Sequence, residues 1–326
     1  MPRPLWSVAA AAALACGAAS GFAAPTNARC EMAASDRAWL LGALANWRSA
    51  ETELLRLDSR PMPTVVAVDS RCAYKLPRGD ISSAVSVEHG ATVPMPDGRQ
   101  VAMGPISFAS PADPPYFAMS LPSVWRAAGV TSTLGLERLM DGVLLHEMSH
   151  TRQSALATMA LDPIARANDL GADLNDDIVQ QTFGKDPAYA AAYAIERDRL
   201  FAAAAARDPR QARRLAGEAL RMMRERRARW FIGRRAYLGD LDDVFLTMEG
   251  LGQWLAYAWY VSPRGGSIAT SRALAGVRRA GDQWSQDEGL ALFLVIDRLL
   301  PDWQRRAFRE PDWRASRLLA SAVGEQ

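Results

Sequence analysis

The residues best suited to chemistry are His146, Glu147 and His150, in the run Val143-Leu144-Leu145-His146-Glu147-Met148-Ser149-His150. Two imidazoles four positions apart on an α-helix stand one above the other, so both rings can reach a single tetrahedral Zn²⁺. The glutamate between them sits beside the metal without having to bind it. There it can take a proton from a water whose pKa Zn²⁺ lowers towards ~7. The short HExxH pattern also arises by accident, in amphipathic helices that happen to carry two histidines. Against accident, the chain has only 3 histidines, and two of them fall in this pentapeptide. The remaining one, His89, reads as a loop residue at the surface, because nothing near it repeats metal-ligand spacing.

The motif needs a rigid helix to hold it. Leu136, Met140, Val143 and Leu144 supply the i, i+4, i+7, i+8 stripe of a helix packed on a core, and Thr131-Ser132-Thr133 offers N-cap candidates ahead of it. This helix is expected to run to about Leu161, followed by an acidic, turn-rich link from Asp162 to Asp177. A catalytic zinc also needs a third protein ligand. The pattern HExxHxxGxxH is absent, since Thr151-Arg152-Gln153-Ser154-Ala155-Leu156 holds neither glycine nor histidine. A carboxylate is therefore expected. Three segments offer one: Ile195-Glu196-Arg197-Asp198, Met248-Glu249-Gly250-Leu251-Gly252-Gln253-Trp254, and Asp287-Glu288-Gly289-Leu290-Ala291.

The elements around the motif fall into two halves. Met32 to Leu57 reads as a first helix closed by Pro61 and Pro63, and Thr64-Val65-Val66-Ala67-Val68 as a strand. Ser83 to Val87 is a second strand candidate. Ala91-Thr92-Val93 and Gln100-Val101-Ala102-Met103 flank the turn-forming Pro96-Asp97-Gly98-Arg99 and predict a hairpin. Beyond Leu121 the chain reads as helices, over Pro122–Ala128, Pro187–Ala206, Pro209–Arg229, Leu241–Val261, Ser271–Ala280 and Asp287–Leu300. With no repeat or low-complexity linker, residues 25–326 are expected to form one α+β domain, a small, mostly antiparallel sheet followed by a predominantly helical body.

Composition limits the partners. A net charge of +2 over 326 residues gives no reason to expect nucleic acid. The arginine-rich run Arg221 to Arg235 scatters around the helical wheel and is interrupted by Glu225, so it reads as a solvated face, from which one arginine could hold a substrate carboxylate. Residues 1–24 carry the signs of a secretory signal peptide: Arg3, an apolar run from Leu5 to Cys16, and Gly21-Phe22-Ala23 as a small-x-small cleavage site. No later stretch reaches the ~18 apolar residues of a transmembrane helix. The mature chain is thus expected to be soluble and exported, periplasmic or secreted. In that oxidising setting Cys30 and Cys72, the two cysteines left after cleavage, are expected to pair.

His146-Glu147-Met148-Ser149-His150 followed by Glu249-Gly250-Leu251-Gly252-Gln253-Trp254 resembles the gluzincin-type zinc metallopeptidases, in particular bacterial members with a downstream E-G-L-A-x-aromatic helix. The resemblance spans residues 131–305. It implies a zincin-like body in which His146, His150 and Glu249 bind Zn²⁺, and Glu147 acts as general base in hydrolysis of a peptide or protein substrate. It also implies that glycine after the ligand glutamate lets two helices approach closely. Two positions depart from the pattern. Gly252 replaces the usual alanine, a mild change by sequence, and Gln253 stands where thermolysin-like members have an aspartate that hydrogen-bonds a ligand histidine. Asp173, Asp176 and Asp177 are the candidate substitutes. Glu288 copies the Glu-Gly-Leu-Ala letters more closely than Glu249, but reads as a surface glutamate at the start of a packing helix. An extended substrate would pair with a strand edge at Ile106–Ser110 or Tyr116–Met119, and Tyr257 or Tyr260 are candidates to stabilise an oxyanion. The rival expectation is a zinc-bound envelope protein that binds a partner without turnover.

Overall fold

The computed structural model describes residues 30–325 apart from 59, 279, 280 and 312, so the expected signal peptide lies outside the described residues. Helix α1 (Ala34–Glu53) buries Leu40, Ala43, Leu44, Trp47 and Ala50 along one face. Seven strands follow: β1 (Thr64–Val68), β2 (Cys72–Leu76), β3 (Val85–Glu88), β4 (Thr92–Pro94), β5 (Gln100–Ala102), β6 (Ser107–Ser110) and β7 (Tyr116–Ser120). The main sheet has the order β3-β2-β1-β7-β6, with β1 and β7 parallel and the other neighbours antiparallel; β4 and β5 form a separate hairpin. The β-branched run of β1 is buried on both faces. Val65 and Ala67 face the large core beneath α1, while Val66 and Val68 face Val93 of the hairpin, Phe108 and Tyr116. This is the two-residue alternation of a strand covered on each side.

Strand β2 carries no signal of its own in the sequence, since Cys-Ala-Tyr-Lys-Leu has no β-branched run; its pairing with β1 decides it. It starts at Cys72, which is disulfide-bonded to Cys30 across a sequence separation of 42, as expected. Closing such a loop is worth ~4 kcal/mol by chain entropy.

The helical body comprises α2 (Pro122–Ala127), α3 (Leu136–Ala167), α4 (Ile178–Phe183), α5 (Pro187–Ala205), α6 (Pro209–Trp230), α7 (Leu238–Val261), α8 (Thr270–Arg278), α9 (Trp284–Leu299), α10 (Trp303–Ala307) and α11 (Ala315–Val323). Helices α5 and α6 each open on Asp-Pro: Asp186 and Asp208 accept the first free backbone amides, and proline occupies the first turn. Helix α3 runs further than its sequence predicts, passing through Pro163 to Ala167. Ala157, Leu161 and Ala165 carry the apolar stripe on into a second core with Leu174 and Tyr189. That burial offsets the ~3 kcal/mol cost of an internal proline. Helix α7 packs against both α3 and α9 and is buried on nearly every side, which places it between the motif helix and the rest of the body. The architecture is α+β, a small mixed sheet with a helical body.

Candidate metal centre

Helix α3 presents His146 and His150 on its buried face, and α7 brings Glu249 to them. The His146 and His150 Nε2 atoms are 3.0 Å apart. Glu249 Oε2 lies 3.1 Å from His146 Nε2, and Oε1 lies 3.3 Å from His150 Nε2. One donor atom from each residue falls within 4.8 Å of the others. These are the spacings of groups arranged around a common ion, and two imidazoles with one carboxylate suit Zn²⁺. Glu249 Oε1 is buried without a hydrogen-bond partner, an acceptor with an unused lone pair aimed at the cluster. The donor set therefore fits a metal ion.

Glycines decide how closely the helices approach, though not in the manner implied by resemblance. A Cβ on Gly252 would sit 2.6 Å from His146 Nδ1, so alanine there is excluded by the ring rather than mildly tolerated. Gly250 faces away from α3: a Cβ there would sit 2.4 Å from the Gly289 backbone oxygen on α9. One glycine thus seats His146, and the other lets α7 and α9 cross in contact.

Glu147 stands outside the ligand cluster. Its Oε2 accepts a hydrogen bond from the backbone amide of Ala109 at 3.2 Å. Ala109 lies in β6, an edge of the main sheet, whereas β7 is flanked by β1 and β6. Of the two proposed segments, only Ile106–Ser110 contains an edge strand, and there the Ala109 amide is held by Glu147.

The surrounding polar groups differ from the expected aspartates. His150 Nδ1 lies 3.2 Å from Gln153 Oε1, three residues on in the same helix. An acceptor there holds the proton on Nδ1 and leaves the Nε2 lone pair for a metal. Glu249 Oε2 accepts from Gln286 Nε2 at 3.1 Å, and Gln286 Oε1 accepts from Gln253. Gln153, Gln286 and Gln253 thus stand around His150 and Glu249 as neutral amides. Gln153 lay in plain view after the motif, but its reach to His150 is a matter of helical i, i+3 geometry that only the motif's ligand role makes meaningful.

Charge in the cluster is coupled. Burial opposes a proton on His150, yet the Glu249 carboxylate, helped by Glu147, outweighs it and raises the imidazole to about 9. Burial likewise opposes the Glu249 charge, and the two imidazoles overcome it, holding the carboxyl well below the usual range. Asp176 is pushed well above its ordinary range by burial and by Glu249, Asp177 and Glu147. It neighbours the centre electrostatically, but no hydrogen bond links Asp173, Asp176 or Asp177 to either histidine among the described residues.

The other carboxylate candidates lie elsewhere. Glu196 and Glu288 are buried together around Arg226, at 2.8 Å and 3.3 Å, with Tyr189 donated to by the same guanidinium. Glu288 is thus not a surface residue, and Arg226 departs from the solvated face expected for its segment. His89 sits in the loops of the sheet, its ring nitrogens 3.0 Å from the Asp69 and Gly90 carbonyl oxygens. Tyr260 donates to Arg138 O in the first turn of α3, pinning α7 to it; Tyr257 is half-buried on the same helix. Comparison with protein families, curated proteins and solved structures finds no match for this chain.

Proposed function

We propose that this protein is an exported zinc-dependent metallopeptidase of gluzincin type. The observation that carries the reading is the division of labour on α3: His146 and His150 converge with Glu249, while Glu147, one residue along, is turned to the backbone of the edge strand β6. A bound Zn²⁺, held by His146, His150 and Glu249, would supply Lewis acidity to a scissile carbonyl. Glu147 accepts a proton from the attacking water and returns it to the leaving amine. Strand β6 is the edge at which an extended peptide would pair, taking over the Ala109 amide as Glu147 turns to the attacking water.

A second reading is favoured by one observation. His146, Glu147, His150 and Glu249 are 5%, 4%, 3% and 0% exposed, a closed setting that also suits a metal holding α3 to α7 in a partner-binding protein without turnover. The two readings separate on the purified chain from residue 25, loaded with Zn²⁺ and offered a broad peptide library. The peptidase reading expects cleavage that a chelator abolishes and added Zn²⁺ restores. Full zinc occupancy with no cleaved peptide gives the site to the second reading.

A further inference from the structure

The two oxygens of Glu249 have different neighbours. Oε2 is shared between Gln286 Nε2 and His146 Nε2, each at 3.1 Å, while Oε1 has His150 Nε2 at 3.3 Å and no hydrogen bond. A primary amide has a donating end and an accepting end, so Gln286 supports a carboxylate only with its nitrogen turned inward. Gln253, four residues beyond Glu249 on α7, fixes that choice by donating its own Nε2 to Gln286 Oε1. The relay runs one way, from the Gln253 amide through Gln286 to the glutamate. All of it is buried, with Gln253 at 4% and Gln286 at 8% exposure, so solvent competes little for these bonds. Gln286 belongs to α9, which reaches Glu249 because Gly250 and Gly289 let the two helices touch.

We propose that Gln286 is the positioning residue of the metal centre: locked by Gln253, it holds Glu249 Oε2 and leaves Oε1 as the single ligand oxygen. This rests on the metal-centre reading above and adds to it a device for ligand geometry built from neutral groups. Losing Gln286 removes the anchor on Oε2, so Glu249 has to be ordered when the ion binds, which weakens affinity, and Oε2 becomes free to join the metal, which raises the coordination number.

The test uses metal binding rather than turnover. Zn²⁺ affinity is measured by chelator competition, and Co²⁺ in place of Zn²⁺ reports coordination number through its visible absorption. Gln286→Met, similar in size and without an amide, should bind Zn²⁺ ~10–100-fold more weakly, the range for losing an outer-shell partner. Its Co²⁺ bands should lose the intensity of a four-coordinate site. Gln253→Met should move both readouts the same way by a smaller amount, because the Gln286 amide is then free to turn. Wild-type affinity and spectrum in folded Gln286→Met overturn the proposal, as does a larger effect from Gln253→Met. If Gln286→Met does not fold, Gln253→Met decides alone, and unchanged readouts there overturn it. A wild-type chain that binds neither ion removes the metal centre itself, a different failure from a centre that is indifferent to Gln286.

Discussion

Two Glu-Gly-Leu segments, Glu249-Gly250-Leu251 on α7 and Glu288-Gly289-Leu290 on α9, cross at their glycines and send nearly identical sequences to opposite ends. Glu249 meets two imidazoles. Glu288 meets Arg226, which also binds Glu196 through two nitrogens, at 2.8 Å and 3.1 Å. Both carboxyls are buried, at 0% and 1% exposure, and burial alone would drive each to the neutral form. The difference lies in the positive partner. Beside Glu288 the chain carries its own permanent cation, although burial and neighbouring Glu196 still push Glu288 well above the usual carboxyl range. Around Glu249 the positive charge is exchangeable, carried by protons on the histidines or by a metal. An arginine closes a polar cluster for structural use; imidazoles leave one open to a ligand.

The strongest test of this contrast exchanges the fates of the two glutamates. Glu249→Ala should weaken Zn²⁺ binding by at least ~10²-fold, more than the loss of an outer-shell partner, while Glu288→Ala keeps the metal. Metal analysis after dialysis checks both, and the reverse result would move the third ligand to α9. Next comes Glu147, which belongs to neither cluster. Glu147→Gln should retain zinc and folding yet slow peptide hydrolysis by ~10²–10⁴-fold, as expected for a lost general base. Equal turnover in the two proteins would take catalysis away from Glu147. On the arginine side, Arg226→Met should leave zinc binding intact and cost about 3–5 kcal/mol in denaturant unfolding, because Glu196 loses its buried counterion. A neutral result would mean that the cluster protonates at no penalty.

The smallest expected effect comes from a half-buried carboxyl on which burial outweighs a nearby arginine, Arg138. Asp141 on α3 has Asn46 at 3.5 Å, and burial raises it to about 6. Its neutral form is favoured by folding, so its contribution to stability is complete below the unfolded value of ~4 and is lost as pH rises through about 6. Asp141→Asn should therefore gain about 1–3 kcal/mol relative to wild type between pH 4 and pH 8. Parallel stability curves for the two proteins across that range would refute the assignment.

Much of the frame was legible because it rests on local rules. The His146-Glu147-x-x-His150 spacing, the Asp-Pro openings of α5 and α6, the β-branched run of β1 and the pairing of Cys30 with Cys72 each follow from helix geometry, capping, propensity or cysteine count. What stayed hidden depends on distant contacts. Strand β2 forms because β1 pairs with it, and α3 continues through Pro163 because Leu161 and Ala165 find a core. The near-identical letters around Glu249 and Glu288 carry no local difference strong enough to say which one meets histidines. Only packing decides it, by bringing α7 across His146 at Gly252, with no room for a methyl group, and by placing Arg226 beside Glu288. The sequence by itself determined that a pair of histidines spaced to share a metal stands on one helix. Tertiary structure chose the carboxylate that faces them and the Gln286 amide that holds it, because burial makes the value of a polar group depend on the partner within hydrogen-bond reach rather than on its neighbours in the chain.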